Sequence, residues 1–206
     1  MSAPSVHPSP RARGVAVVGV AVVLDRVGVV VRPDAAQPWR PGMRLLADPV
    51  IVGRHGDQVA RWVADAVLAV RLAAIAATSP AGVPRVGVPR PLPGGWFEWH
   101  PLITGALLAT PGLEVELVGP RWVDRARQRR LIAADTADPS RPDPMGDPQG
   151  FARWRDQHPL WSQGYPAELV GPREQSGAGM RGVLRTAWDV AGAAGLRLGE
   201  RDGEAA

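Results

Sequence analysis

GVAVVGVAVVLDRVGVVVRPD, residues 14–34, decides the fold. Ten valines between Val15 and Val31 supply the branched side chains that favour extended backbone, and Asp25 and Gly28 punctuate the run in its middle. The pattern predicts a strand to about Leu24, a tight turn from Asp25 to Gly28 and a second strand to Val31, paired as a hairpin. Arg11 and Arg13 precede the apolar run rather as in a signal peptide, but Asp25 and Arg26 end it and no small-x-small cleavage site follows directly. The strand reading is preferred.

Outward from the hairpin, residues 1–13 combine Ser, Pro and Arg without periodicity and are expected to form a disordered arm. After it, Pro33, Pro38 and Pro41 mark a loop, and ADPVIV (47–52) is a short third strand. Asp57 then caps a long helix, DQVARWVADAVLAVRLAAIAAT, in which Val59, Trp62, Val63, Ala66, Val70 and Ala74 share one face and Leu68, Leu72 and Ile75 cover another. A helix apolar on most sides is expected to be sandwiched in the core, and Arg61, Asp65 and Arg71 argue against a bilayer span. RVGVP (85–89) is strand-like, PLITGALLAT (101–110) has helical spacing, and in LEVELVG Val115 and Leu117 alternate with Glu114 and Glu116 as in a strand.

Residues 122–134 form an amphipathic helix in this reading, and the four prolines of DTADPSRPDPMGDPQG predict a linker or long loop. Phe151, Trp154, Trp161 and Tyr165 follow in a Pro-broken segment read as a flap across the domain, and residues 180–194 make the terminal helix, with a polar tail fraying from Gly199. The expected organisation is thus an arm (1–13), an α/β core (14–134), a Pro- and Trp-rich insertion (135–175) and a C-terminal helix packed on the core (176–198). Strands alternating with helices imply a parallel portion joined to the antiparallel hairpin, so the fold class is α/β, a mixed sheet flanked by helices.

Composition excludes several chemistries. The chain has no Lys, Asn or Cys, and all 24 basic side chains are Arg. Schiff-base chemistry, the usual phosphate-loop lysine, thiolate nucleophiles, disulfides and thiolate metal sites are all ruled out. Such residue usage points to a GC-rich, actinobacterial source, and the absence of Cys fits a reducing, cytoplasmic compartment. The four histidines share no ligand spacing, and none of the seven serines lies in a nucleophile elbow.

Two features carry chemistry. Arg121, Arg125 and Arg129 recur every four residues with Arg127 and Arg130 beside them, so five arginines face one acid, Asp124, between residues 121 and 130. Like charges at that spacing repel, and a polyanion relieves the repulsion; the stretch reads either as a solvated face or as a surface for DNA phosphates, with Trp122 stacking on a base or anchoring the helix. The second feature is Asp189 in RTAWDVAGAAG (185–195). Arg181, Arg185 and Asp189 are spaced by four, which suits a surface stripe with an Arg185–Asp189 pair, yet Trp188, Val190 and Ala191 leave little polar surface around it. Asp25 reads as a polar turn residue or an acid placed at a strand end, and Glu98, between Phe97 and Trp99, as a loop carboxylate at an aromatic edge.

The order of elements is that of the ribonuclease H-like fold, and LITGALLATPGLEVELVGPRWVDRA resembles the part of RuvC-type Holliday junction resolvases where a small-residue helix leads into a strand, a Pro and a basic helix. RTAWDVAGAA resembles the last helix of that family. This resemblance implies a nuclease in which two Mg²⁺ ions are held by carboxylates from separate elements, with Asp25 in the first position, Asp189 in the last and Glu98 nearest to the remaining one. The chain departs from the family at Arg26 and Val27, where a Gly directly follows the first acid, at Pro89–Arg90–Pro91, where a Glu ends the fourth strand, and at Thr186, where a second acid is common. The expected partners are DNA, branched DNA included, and a second copy of the chain; no membrane is expected. The alternative is a non-enzymatic protein-interaction module on the same scaffold, in which the Trp-rich segments bind a protein partner and the acids are structural.

Overall fold

The valine-rich run folds as a hairpin in the computed structural model, which describes residues 16–23, 26–32, 50–51, 56–77, 85–90, 99–158, 164–170 and 180–204. Strand β1 (Val17–Val23) pairs antiparallel with β2 (Arg26–Arg32), Val17 opposite Arg32 and Val23 opposite Arg26. The short β3 (Val50–Ile51) adds antiparallel to β2. On the other side of β1, β4 (Arg85–Pro89) is parallel to it and β5 (Glu114–Val118) is parallel to β4, giving the order β3-β2-β1-β4-β5. The helices are α1 (Gly56–Ala77), α2 (Trp99–Leu108), α3 (Pro120–Ala137), α4 (Pro148–Gln157), α5 (Ala167–Val170) and α6 (Met180–Glu204).

Side chains alternate across a strand, and here both faces are covered, which explains why β1 and β2 read as almost unbroken valine. Val18, Val20, Val22, Val27, Val29, Val86 and Val88 point one way and form a core with Trp62, Ala66, Val70 and Ala74 of α1 and Ile103 and Leu107 of α2. Val17, Gly19, Ala21, Gly28, Val30 and Gly87 lie on the opposite face, where α6 crosses the sheet. The helix approaches closely because both surfaces are small. A Cβ on Gly19 would collide with the Ala187 carbonyl and lie 2.8 Å from the Ala191 side chain, and one on Gly87 would lie 2.7 Å from Ala194.

Three expectations are corrected. Helix α1 is not sandwiched: its Trp62 face is buried, but Leu68, Leu72 and Ile75 are 53%, 59% and 63% exposed, because the sheet lies on one side of α1 only. The flap segment contains a regular helix, α4, started by Asp147, whose side chain accepts from the Gly150 amide at 2.8 Å, with Pro148 in the first turn. Trp154 of α4 is buried, stacked between Phe151 and His158, and its indole donates to Asp138 Oδ2 at 3.2 Å. The terminal helix does not stop at Ala194 but runs through Glu204. No described helix is long and apolar enough to cross a membrane. The expected arm, Asp25, Glu98 and Trp161 lie outside the described residues.

Candidate functional site

Asp189 sits at the meeting of α3, α6 and the segment before α5. Ala187 and Ala191 both press on Gly19, so the residue midway between them projects about 200° round the helix, away from the sheet and toward α3. There its carboxylate is only 1% exposed. Its Oδ1 accepts from Arg130 Nε at 3.1 Å, and its Oδ2 accepts from Arg127 Nε at 3.0 Å and from the Tyr165 hydroxyl at 2.7 Å. Arg130 also donates through Nη2 to the Tyr165 oxygen at 3.0 Å and lies 3.7 Å over the Tyr165 ring. A buried carboxylate is tolerated only with such charge-assisted partners.

Tyr165 is held there by its neighbour. Gly164 has φ of +69°, and a Cβ on it would meet Arg130 Cγ at 2.7 Å, so this corner requires glycine both for its conformation and for its closeness to Arg130. Burial, reinforced by the charge of Asp189, pushes the Tyr165 hydroxyl far above its ordinary pKa; it stays protonated and keeps donating. Arg185, the partner expected for Asp189, instead donates to the Leu169 carbonyl at 3.0 Å, and the surface-stripe reading of Asp189 is corrected accordingly. The reason is rotational: α6 presents Asp189 to α3, and α3 carries the nearer arginines.

The arginine helix therefore divides. Arg130 is spent on Asp189, Arg127 is shared between Asp189 and Asp124, and Arg125 pairs with Glu200 at 2.8 Å while lying 5.2 Å over the Trp122 ring. Trp122 is half-buried against the α6 side of the core, so it anchors the helix. Arg121 and Arg129 are exposed and make no ion pair or hydrogen bond among the described residues.

The described residues do not fit a Mg²⁺ site. A hard cation needs several free oxygen ligands, whereas both oxygens of Asp189 already accept from cationic or hydroxyl donors, and no three His, Asp or Glu side chains cluster among the described residues. Asp189 ties three segments together.

Sequence reasoning missed Arg32, Tyr165 and Arg197. Arg32, last in β2, folds back so that its guanidinium lies 4.9 Å over the Trp188 ring and passes across Gly192 of α6. Burial lowers its pKa, an effect that Asp189 offsets and Arg130 reinforces. Arg197 pairs with the buried Glu116 at 2.9 Å and donates to the Leu117 carbonyl at 3.0 Å. Glycines within valine strands at 19, 28 and 87 were the readable signal for a close helix, and the single Tyr of the chain was the signal at 165. The chain matches no family model, and no curated protein matches it.

Proposed function

We propose that this chain is a nucleic-acid-binding protein on a ribonuclease H-like scaffold, kin to RuvC-type resolvases in architecture, with Asp189 diverted from metal binding to holding the last helix. The scaffold reading is supported by the mixed sheet, an antiparallel hairpin followed by two parallel strands, with the terminal helix laid across it. One observation carries the binding reading: Arg121 and Arg129 stand exposed on α3 with no acid to neutralise them among the described residues. Guanidinium groups so placed suit a phosphate backbone, which contributes affinity without sequence preference.

Binding to linear and branched duplex DNA across a salt series tests this. Replacing Arg121 and Arg129 with Ala is expected to reduce the slope of log K against log salt by about 1.8, the value for two phosphate contacts. A wild-type protein with no salt-dependent DNA binding overturns the reading.

A second reading, a protein-interaction module on the same scaffold, is favoured by the exposed stripe Leu68, Leu72 and Ile75, spaced by four and three along α1. Its occupant would be a second copy of the chain, and sedimentation of wild type against Leu72→Glu decides: a dimer lost in the variant supports it, and a monomeric wild type removes it.

A further inference from the structure

Next to the Asp189 network, whose charges reach Arg32, a half-open pocket of about 60 Å³ lies between α3 and α6, lined by Arg32, Ala126, Arg129, Gly192 and Leu196. One water needs about 10–15 Å³ of such space, so the pocket has room for a tetrahedral oxyanion. Its polar lining is wholly cationic. Arg32 Nη1 is buried there and has no hydrogen-bond partner, and Arg129 has no acid or acceptor among the described residues. The floor is Gly192, where any Cβ would strike Arg32 Nη1, so the glycine makes the space in which this guanidinium lies. Behind it Trp188 fixes the guanidinium plane from one side.

Charge counting points the same way. Arg32, Arg127, Arg129 and Arg130 converge on this part of the α3–α6 interface, and the one buried carboxylate among them, Asp189, has its oxygens taken by Arg127, Arg130 and Tyr165. Asp189 acts on Arg32 only at a distance, and no carboxylate among the described residues hydrogen-bonds Arg32 Nη1 or Arg129. A buried donor left unpaired costs about 1–3 kcal/mol, more when it is charged. An anion between the two arginines would satisfy both.

We propose that this pocket is a binding site for a single phosphate group, with Arg32 Nη1 donating from the buried wall and Arg129 closing over the group from the exposed rim. Arg32 is the partner of Val17 in the hairpin register, so the pocket lies at the end of β1 and β2 opposite the Val23–Arg26 pair. It is therefore distinct from any centre at the Val23–Arg26 end of the hairpin. The proposal does not need the nucleic-acid reading, because the inorganic ion alone tests it.

The experiment is titration calorimetry of the full chain with sodium phosphate against sodium chloride at matched ionic strength, together with thermal melting. Saturable phosphate binding is expected, and phosphate at ten times its Kd raises Tm by about 3–5 °C. Arg129→Ala, a change at an exposed residue that leaves the core intact, is expected to weaken phosphate binding at least about tenfold, the loss of one charge-assisted hydrogen bond. Arg32→Met is expected to abolish binding while the variant stays folded, since the substitution removes a buried charge and keeps the apolar stem.

No phosphate-specific heat or Tm shift in wild type overturns the proposal, as does a Kd unchanged in both variants. Oligonucleotides with and without a 5′-phosphate identify the source of the group: tighter binding of the phosphorylated strand, lost in Arg32→Met, assigns a strand end, and equal binding weakened by Arg32→Met assigns a backbone phosphodiester. Phosphate binding without DNA binding keeps the site and removes only the nucleic-acid reading.

Discussion

On one face of the sheet Val18, Val20, Val22, Val27 and Val29 meet Trp62, Ala66 and Val70 of α1; on the other, Gly19, Gly28 and Gly87 meet Ala187, Val183 and Ala194 of α6. The first interface is held by side-chain volume and carries no charge at its centre. The second is held by closeness of backbones, and its outer side carries the carboxylate, the tyrosine and the arginines. Volume tolerates some repacking, whereas a close approach of backbones tolerates no added atom. The charged network around Asp189 lies behind the glycine-faced interface, because a helix brought that near the sheet presents its far side to α3 within hydrogen-bond reach.

The comparison breaks most severely at Asp189. Replacing it with Ala leaves Arg130, whose side chain is 6% exposed, as a buried cation without its carboxylate, at an expected cost of about 3–5 kcal/mol in denaturant unfolding. Arg127 adds less, since its side chain is 45% exposed and can turn to water. The double variant Asp189→Ala with Arg130→Met is expected to recover a substantial part of that loss, because the unpaired charge goes with its partner. Equal loss in single and double variants would show that Asp189 acts through something other than these arginines.

One strand then sharpens the contrast, since neighbouring residues face opposite ways. Gly19→Ala adds a single carbon against the Ala187 carbonyl and is expected to cost about 3 kcal/mol, near the upper end for overpacking, because backbone cannot move aside as a side chain would. Val20→Ala removes two carbons from the α1 face and is expected to cost about 2 kcal/mol. Adding an atom on one face should cost more than removing two on the other. Chemical denaturation of both variants measures it, and a milder effect at Gly19 would mean that α6 can lift from the sheet.

Much of this was legible. The hairpin, the α1 strip of Trp62, Ala66 and Val70, and the alternation of Val115 and Leu117 with Glu114 and Glu116 all follow from period alone, because burial on a helix or strand face repeats with the backbone. Three things were not. Period cannot say whether a second layer covers a face: Leu68 and Leu72 were expected inside and are exposed, while Glu116 faces α6 and meets Arg197. The partner of Asp189 depends on which way α6 rolls on the sheet, which Gly19 sets from about 170 residues away. A spacing of four suggested Arg185, and tertiary contact chose Arg127 and Arg130, as it commonly overrides local pairs worth only a few tenths of a kcal/mol. The pairing of Arg32 with Trp188 likewise joins segments that no local pattern relates.

The smallest expected effects concern pH, and they run in opposite directions on the two sides of the sheet. Tyr165, on the α6 side, has its pKa raised by burial and then by Asp189, so the folded state holds this proton more tightly than the unfolded chain does. Its contribution is fully present below the ordinary tyrosine pKa of 10.0 and is lost as pH rises above it, and Tyr165→Phe should remove that alkaline decline. His100, in the first turn of α2 on the α1 side, has its pKa lowered by burial, partly offset by its hydrogen bond of 2.9 Å to the Pro89 carbonyl. The unfolded chain then binds the proton more readily, so this contribution is present above the ordinary value of 6.5 and is lost as pH falls below it. His100→Gln, which keeps an amide donor for Pro89, should flatten the acid side and leave the alkaline side unchanged. Unfolding free energy measured from pH 5 to 11 for wild type and both variants separates the two, and a Tyr165→Phe protein with the wild-type alkaline decline would show that the α6 side does not sense pH through this hydroxyl.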